Sequence, residues 1–159
     1  MNNVLNRQIR EVLRRHQQRA PIYILAIAHD LGINVYSAIG EGLSGMIKKD
    51  STQGGPSGYA IVVNKKDPST RQRFTIAHEI AHFILHKDAI GDGIVDDALY
   101  RSGLSNKQEI EANKLAAEIL MPWNLINKAM DEKINSIKDL STIFQVSESA
   151  MSIRLGIPS

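Results

Sequence analysis

The sequence contains no cysteine. Disulfides, thiolate metal sites and cysteine nucleophiles are therefore excluded, and a reducing compartment fits. No apolar run approaches the roughly 20 residues that span a bilayer, and the start, Met1 to Gln8, is polar and then basic, without the apolar centre of a signal peptide. A soluble, cytoplasmic protein with no membrane partner is expected. Charge of one sign is also scarce: a formal net charge of +2 is too small to argue for nucleic acid. Internal repeats and long low-complexity tracts are absent. What remains is an ordinary balance, 43% hydrophobic and 23% charged over 159 residues. That suits one domain, or one with a small appendage, able to bury a core without covalent staples.

Residues 3–19 read as a helix carrying Arg7, Arg10, Arg14, Arg15 and Arg19, a solvated face rather than a nucleic-acid arm. Pro21 can open a second helix over about 22–31 that Gly32 closes. Val35 to Ile39, Leu43 to Lys48 and Tyr59 to Asn64 are short and β-branched, with glycine-rich breaks, and predict a small, mostly antiparallel sheet. Asp67 as cap and Pro68 at the first helical position start a helix that runs to about His86. Residues 87–104, with three glycines and four aspartates, read as a long surface loop. Ser105 and Gln108 form a capping box for a helix that Pro122 ends near Met121. A short helix over Trp123 to Met130 follows, Ser136 with Asp139 reads as another helix start, and the last twenty residues read as two short helices with Ser147 as cap of the second. The expected class is α+β: the sheet packs on the helix after Pro68 and on the helix after Ser105, with a C-terminal helical pair. The expected divisions are an N-terminal arm at 1–20, a main domain at 21–131 and a helical segment packed on it at 132–159.

The informative segment is His78-Glu79-Ile80-Ala81-His82, H-E-x-x-H on a predicted helix. With five histidines in the chain, random order would produce it roughly 0.01 times per chain of this composition. Histidines four apart share a helix face and can aim at one ion. Zinc accepts neutral imidazole, and a catalytic zinc uses three protein ligands and an open position for water. Glu79 stands about 100° around the helix from His78, where its carboxylate can serve as general base without ligating. The bland alternative is two histidines in the apolar stripe of Phe74, Ala77, Ala81 and Leu85. Imidazoles in such a stripe need partners, and one metal would serve both.

A third ligand is required. His86 lies about 12 Å along a straight helix from His78, too far to share the ion, and reads as a helix-end residue supporting the ligands. Helical-wheel geometry over Glu109 to Leu120 turns Glu109 nearer than Glu111 to the apolar face, so Glu109 is the preferred ligand and Glu111 the alternative. Asn113, one turn beyond Glu109, can hydrogen-bond the far nitrogen of a ligating histidine. E-x-x-x-N is close to the E-x-x-x-D of gluzincin peptidases. A donor for the tetrahedral oxyanion is not evident; Tyr100 and Arg101 are the candidates. Tyr59 to Asn64 could be an edge strand that pairs with an extended substrate.

The stretches Arg71 to His82 and Glu109-Ile110-Glu111-Ala112-Asn113, running into Ile119-Leu120-Met121-Pro122, resemble the ImmA/IrrE family of metallopeptidases over about residues 20–130. Leu115 stands where that family often has an aromatic. The resemblance implies a gluzincin-like core, a zinc ion on two histidines and a glutamate, and intracellular regulatory proteolysis. It further implies cleavage of a helix-turn-helix repressor that silences mobile-element, phage or stress-response genes. Mn²⁺ and Fe²⁺ also suit a His₂Glu set. Residues 136–155 resemble a helix-turn-helix, yet Glu148, Ser149 and Ser152 with a single Arg154 make a poor DNA reader. The rival reading is a non-catalytic zinc-containing regulator that binds a repressor or DNA through this segment. Oligomeric state, scissile bond and activating signal are not legible in these residues.

Overall fold

In the computed structural model of the chain, the elements in order are α1 (Arg7–His16), α2 (Ile24–Asp30), β1 (Ile33–Ala38), β2 (Leu43–Lys49), β3 (Tyr59–Asn64), α3 (Ser69–Leu85), α4 (Lys87–Ile90), β4 (Gly93–Asp97), α5 (Asn106–Leu120), α6 (Trp123–Asp131), α7 (Ile137–Phe144) and α8 (Glu148–Leu155). The structure describes residues 6–40, 42–91, 93–97 (backbone only for 94–97) and 104–157. The class is α+β, with the sheet lying against α3 and α3 against α5.

The strand order is β1-β3-β2-β4. β3 reads Tyr-Ala-Ile-Val-Val, nearly all apolar, as suits a strand covered on both faces. It pairs with β1 in parallel, Ile33 opposite Tyr59, and with β2 antiparallel, Ile47 opposite Ile61. β2 in turn pairs antiparallel with β4. The sheet is thus mixed, with one parallel ladder among antiparallel ones. Both edges of β3 are occupied, so the expectation that Tyr59 to Asn64 pairs with a substrate fails; the outer strands are β1 and β4.

Residues 87–90 and 93–97 are also not the plain loop expected, since they form α4 and β4. Ile94-Val95 between glycine and aspartates is too short to show alternation, and pairing with β2 decides its state. Two helix starts shift as well. Pro21 lies outside α2, in a cis peptide with Ala20. Pro68, not Asp67, is the N-cap of α3, and Asp67 instead faces Arg71 at 3.5 Å. The capping box at Ser105 and Gln108 forms as expected, as do the Ser136 and Ser147 caps of α7 and α8.

One continuous core runs from Val12 and Leu13 of α1 through Ile47, Ile61, Ile80 and Leu115 to Leu140 and Phe144 of α7. Gly45 of β2 sets how closely α3 lies on the sheet. A Cβ there would stand 2.5 Å from Thr75 Cγ2 and 2.9 Å from the Val62 carbonyl oxygen. The C-terminal pair is tied down at two points, the turn between its helices and the last turn of α8. Arg73 of α3 donates to the Gln145 carbonyl at 3.1 Å, and Arg154 of α8 donates to the Met121 carbonyl at 2.9 Å. Partial burial lowers the pKa of both guanidiniums, with Glu118 opposing the shift at Arg154. Among the described residues, no helix is long and apolar enough to cross a membrane.

Candidate metal centre and cleft

α3 and α5 cross the site in opposite directions. His82 meets Glu109 near the start of α5, and His78, one turn earlier in α3, meets Asn113 one turn later in α5. The capping box fixes the first turn of α5, from which Glu109 projects. These four side chains lie along one seam between the helices. His82 is fully buried, Glu109 is 2% exposed and His78 8% exposed.

Three ligating atoms converge there. His78 Nε2 and His82 Nε2 are 3.0 Å apart, and Glu109 Oε1 is 2.8 Å from His82 Nε2 and 3.6 Å from His78 Nε2. The surroundings fix which nitrogen of each ring carries the proton. His78 Nδ1 is 2.8 Å from Asn113 Oδ1, an acceptor, so that nitrogen donates. His82 Nδ1 is 3.0 Å from His86 Nδ1, and His86 Nε2 is 3.0 Å from Glu111 Oε1. With His86 neutral, its Nε2 donates to the Glu111 carboxylate and its Nδ1 accepts from His82 Nδ1. In both neutral rings the Nε2 lone pair then faces the common point. Two imidazole lone pairs and a carboxylate oxygen form the donor set of a divalent cation. Their spacing fits one as well: bonds of about 2.05 Å in a tetrahedron put ligand atoms roughly 3.3 Å apart. His78, His82 and Glu109 are the group found among the described residues whose ligand atoms lie within 4.8 Å of one another.

Glu79 is fully buried beside the first histidine. A Cβ on Gly45 would lie 3.6 Å from Glu79 Oε2, so the absent side chain on β2 leaves room over that carboxylate. The structure does not bring Glu111 to the cluster. It stands at the outer end of the chain His82–His86–Glu111, with its side chain 45% exposed. Tyr100 and Arg101 lie outside the described residues.

A cleft of about 860 Å³ opens from His78, Glu109 and Asn113 and extends to α8. Sequence reasoning did not connect the C-terminal pair with this cleft. Its signal was faint: Ala150 and Ile153 are simply two apolar residues three apart on a short helix.

Fold and site together define a metallopeptidase-type domain. The chain belongs to the IrrE N-terminal-like domain family (Peptidase_M78), matched over residues 28–156. Among curated proteins it is similar to the radiation response metalloprotease IrrE of Deinococcus radiodurans, with 37% identity over 78 residues, 48% of this chain and 23% of that one. The match thus spans less than a quarter of that relative's length.

Proposed function

We propose that the chain is a zinc-dependent endopeptidase of the cytoplasm whose substrate is a protein, a repressor of the helix-turn-helix class. The convergence of His78 Nε2, His82 Nε2 and Glu109 Oε1, with their protons turned outward, carries this reading. The family resemblance supports the peptidase activity and the substrate class. The His₂Glu set also accepts Mn²⁺ or Fe²⁺; zinc is the metal proposed.

A zinc ion held by His78, His82 and Glu109 would supply Lewis-acid polarisation of a carbonyl and would lower the pKa of a water towards about 7. The chain's own residues do the rest. Asn113 and His86 hold the two imidazoles in orientation and tautomer. The Glu79 carboxylate takes a proton from the attacking water and passes it to the leaving amine nitrogen. The fully buried setting of Glu79 supports a chemical role, because a carboxylate is costly to bury and a purely structural metal site needs none beside its ligands. Arg154 is engaged by the Met121 carbonyl and lies 4.9 Å over the Trp123 ring, which favours a packed role for α8 over base reading.

The test is cleavage of a co-expressed helix-turn-helix repressor from the same locus by wild type and by Glu79→Gln, with bound metal quantified in both. The expected result is cleavage by wild type alone and equal metal in both. Equal cleavage by the variant would remove Glu79 from the mechanism, and absence of metal from both would overturn the reading.

A further inference from the structure

The cleft that leaves the metal centre is a trench with a defined far end. Its floor is the seam between α3 and α5. On α5 the residues facing it run Glu109, Asn113, Ala117, Met121, every fourth position and hence one face of the helix. From Glu109 to Met121 that face is about 18 Å long at 1.5 Å per residue. An extended chain covers the distance in about five residues.

Chemistry changes along the trench. At the metal end it is polar, lined by His78, Glu109 and Asn113. At the far end it is apolar, lined by Phe74, Ala117, Val146, Ala150 and Ile153. The last three belong to the C-terminal segment, which thereby forms one wall. Val146 and Met121 are buried, but Ile153 is 75% exposed. On a helix anchored through Arg154, Ile153 joins the half-buried Phe74, Ala117 and Ala150 in one apolar stretch of the trench wall. Arg71, Lys114 and Arg154 line the same trench, Arg71 also facing Asp67 at 3.5 Å and Arg154 having Glu118 near it, while the one carboxylate in the lining is Glu109 at the metal end.

We propose that this far end is a subsite for the substrate chain. It receives one large aliphatic or aromatic side chain, about four or five residues from the bond beside the metal, next to an acidic residue that faces the cationic rim. The segment that looks like a helix-turn-helix is, on this reading, part of the specificity apparatus. Ile153 is the residue that sets the preference. The inference rests on the peptidase reading for its substrate, and the test separates the two.

The metal-loaded full chain is incubated with a mixed-sequence peptide library, and the products are sequenced by mass spectrometry. In parallel, metal-loaded Glu79→Gln captures intact peptides from the same library. Both measurements are repeated with Ile153→Glu, alone and combined with Glu79→Gln. Ile153 is exposed, so the substitution should leave folding intact, which a thermal melt checks. The expected outcome is a preference of about tenfold or more for Leu, Ile, Met or Phe at one fixed distance from the cut, with Asp or Glu beside it. In Ile153→Glu that preference is lost and basic residues gain. The same motif in both proteins, or no apolar preference at any position, overturns the subsite. If wild type cuts nothing while Glu79→Gln still captures apolar–acidic peptides in an Ile153-dependent way, the subsite stands and the peptidase reading falls. If neither cutting nor Ile153-dependent capture is seen, both fall.

Discussion

At the scale of single residues, the site is a matter of where protons sit. His78 and His82 are ligand-ready because Asn113 Oδ1 and His86 Nδ1 accept hydrogen bonds from their Nδ1–H groups. Truncating His86 removes the acceptor that holds the His82 Nδ1 proton in place. The expected outcome for His86→Ala is metal binding weakened about 10- to 100-fold, the usual cost of losing such a partner, read by chelator competition. Glu111→Ala should weaken it less, since Glu111 acts one hydrogen bond further out and is half exposed. The H-E-x-x-H segment was legible in the sequence because a helix places residues four apart on one face. The third member, Glu109, was legible only as a preference over Glu111 on a helical wheel. The link from His86 to Glu111 was not legible, because it depends on how far α5 is shifted along α3, and that shift is set by packing.

Secondary-structure elements explain the precision of the third ligand. Glu109 lies in the first turn of α5, the part of a helix most prone to fraying. The capping box holds that turn: Gln108 N–H donates to Ser105 Oγ at 3.2 Å, and Ser105 N–H donates to Gln108 Oε1 at 3.0 Å. Ser105→Ala should cost about 1 kcal/mol of stability, read by urea unfolding. It should also weaken metal binding, because the ligand rides on the loosened turn. A substitution that lowered stability but left metal affinity unchanged would show that Glu109 is positioned by its burial instead. The helices were read from their caps and their apolar periodicity, and the caps at Ser105, Ser136 and Ser147 are where those signals placed them. β4 was missed because five residues with glycine and aspartate carry no strand pattern of their own. The role of β3 was misjudged because an apolar run gives no information on which of its two edges is occupied.

For the whole molecule, a cation held by His78, His82 and Glu109 would join elements that pack on opposite sides of the seam: α3 lies on the sheet, and α5 packs on α3. A ligand that binds only the folded state stabilises it by mass action, about 4 kcal/mol at a thousand times its dissociation constant. Removing the metal with a chelator should therefore lower the thermal midpoint of wild type, and re-addition should restore it. His82→Ala should melt at one temperature with or without chelator, as followed by circular dichroism. If wild type also shows no difference, the buried cluster holds no cation that matters to folding. The α8 wall of the cleft adds a further expectation at this scale: deleting the C-terminal pair would expose Phe74 and Met121 together with the core that Leu140 and Phe144 cover, so the truncated chain is a poor test of function.

The seam has a consequence in polymer terms. His82 and Glu109 are far apart in the chain but 2.8 Å apart in space, so a cation held by both closes residues 83–108 into a ring, as a covalent cross-link would. The entropy of such a ring rises only with the logarithm of its length. Closing it restricts the segment that carries α4 and β4 by an amount of that order, and insertions within it would add little further cost. β4 is an outer strand held by one neighbour, and its amide exchange rates should therefore report, from the edge of the sheet, whether the knot between the two helices is tied.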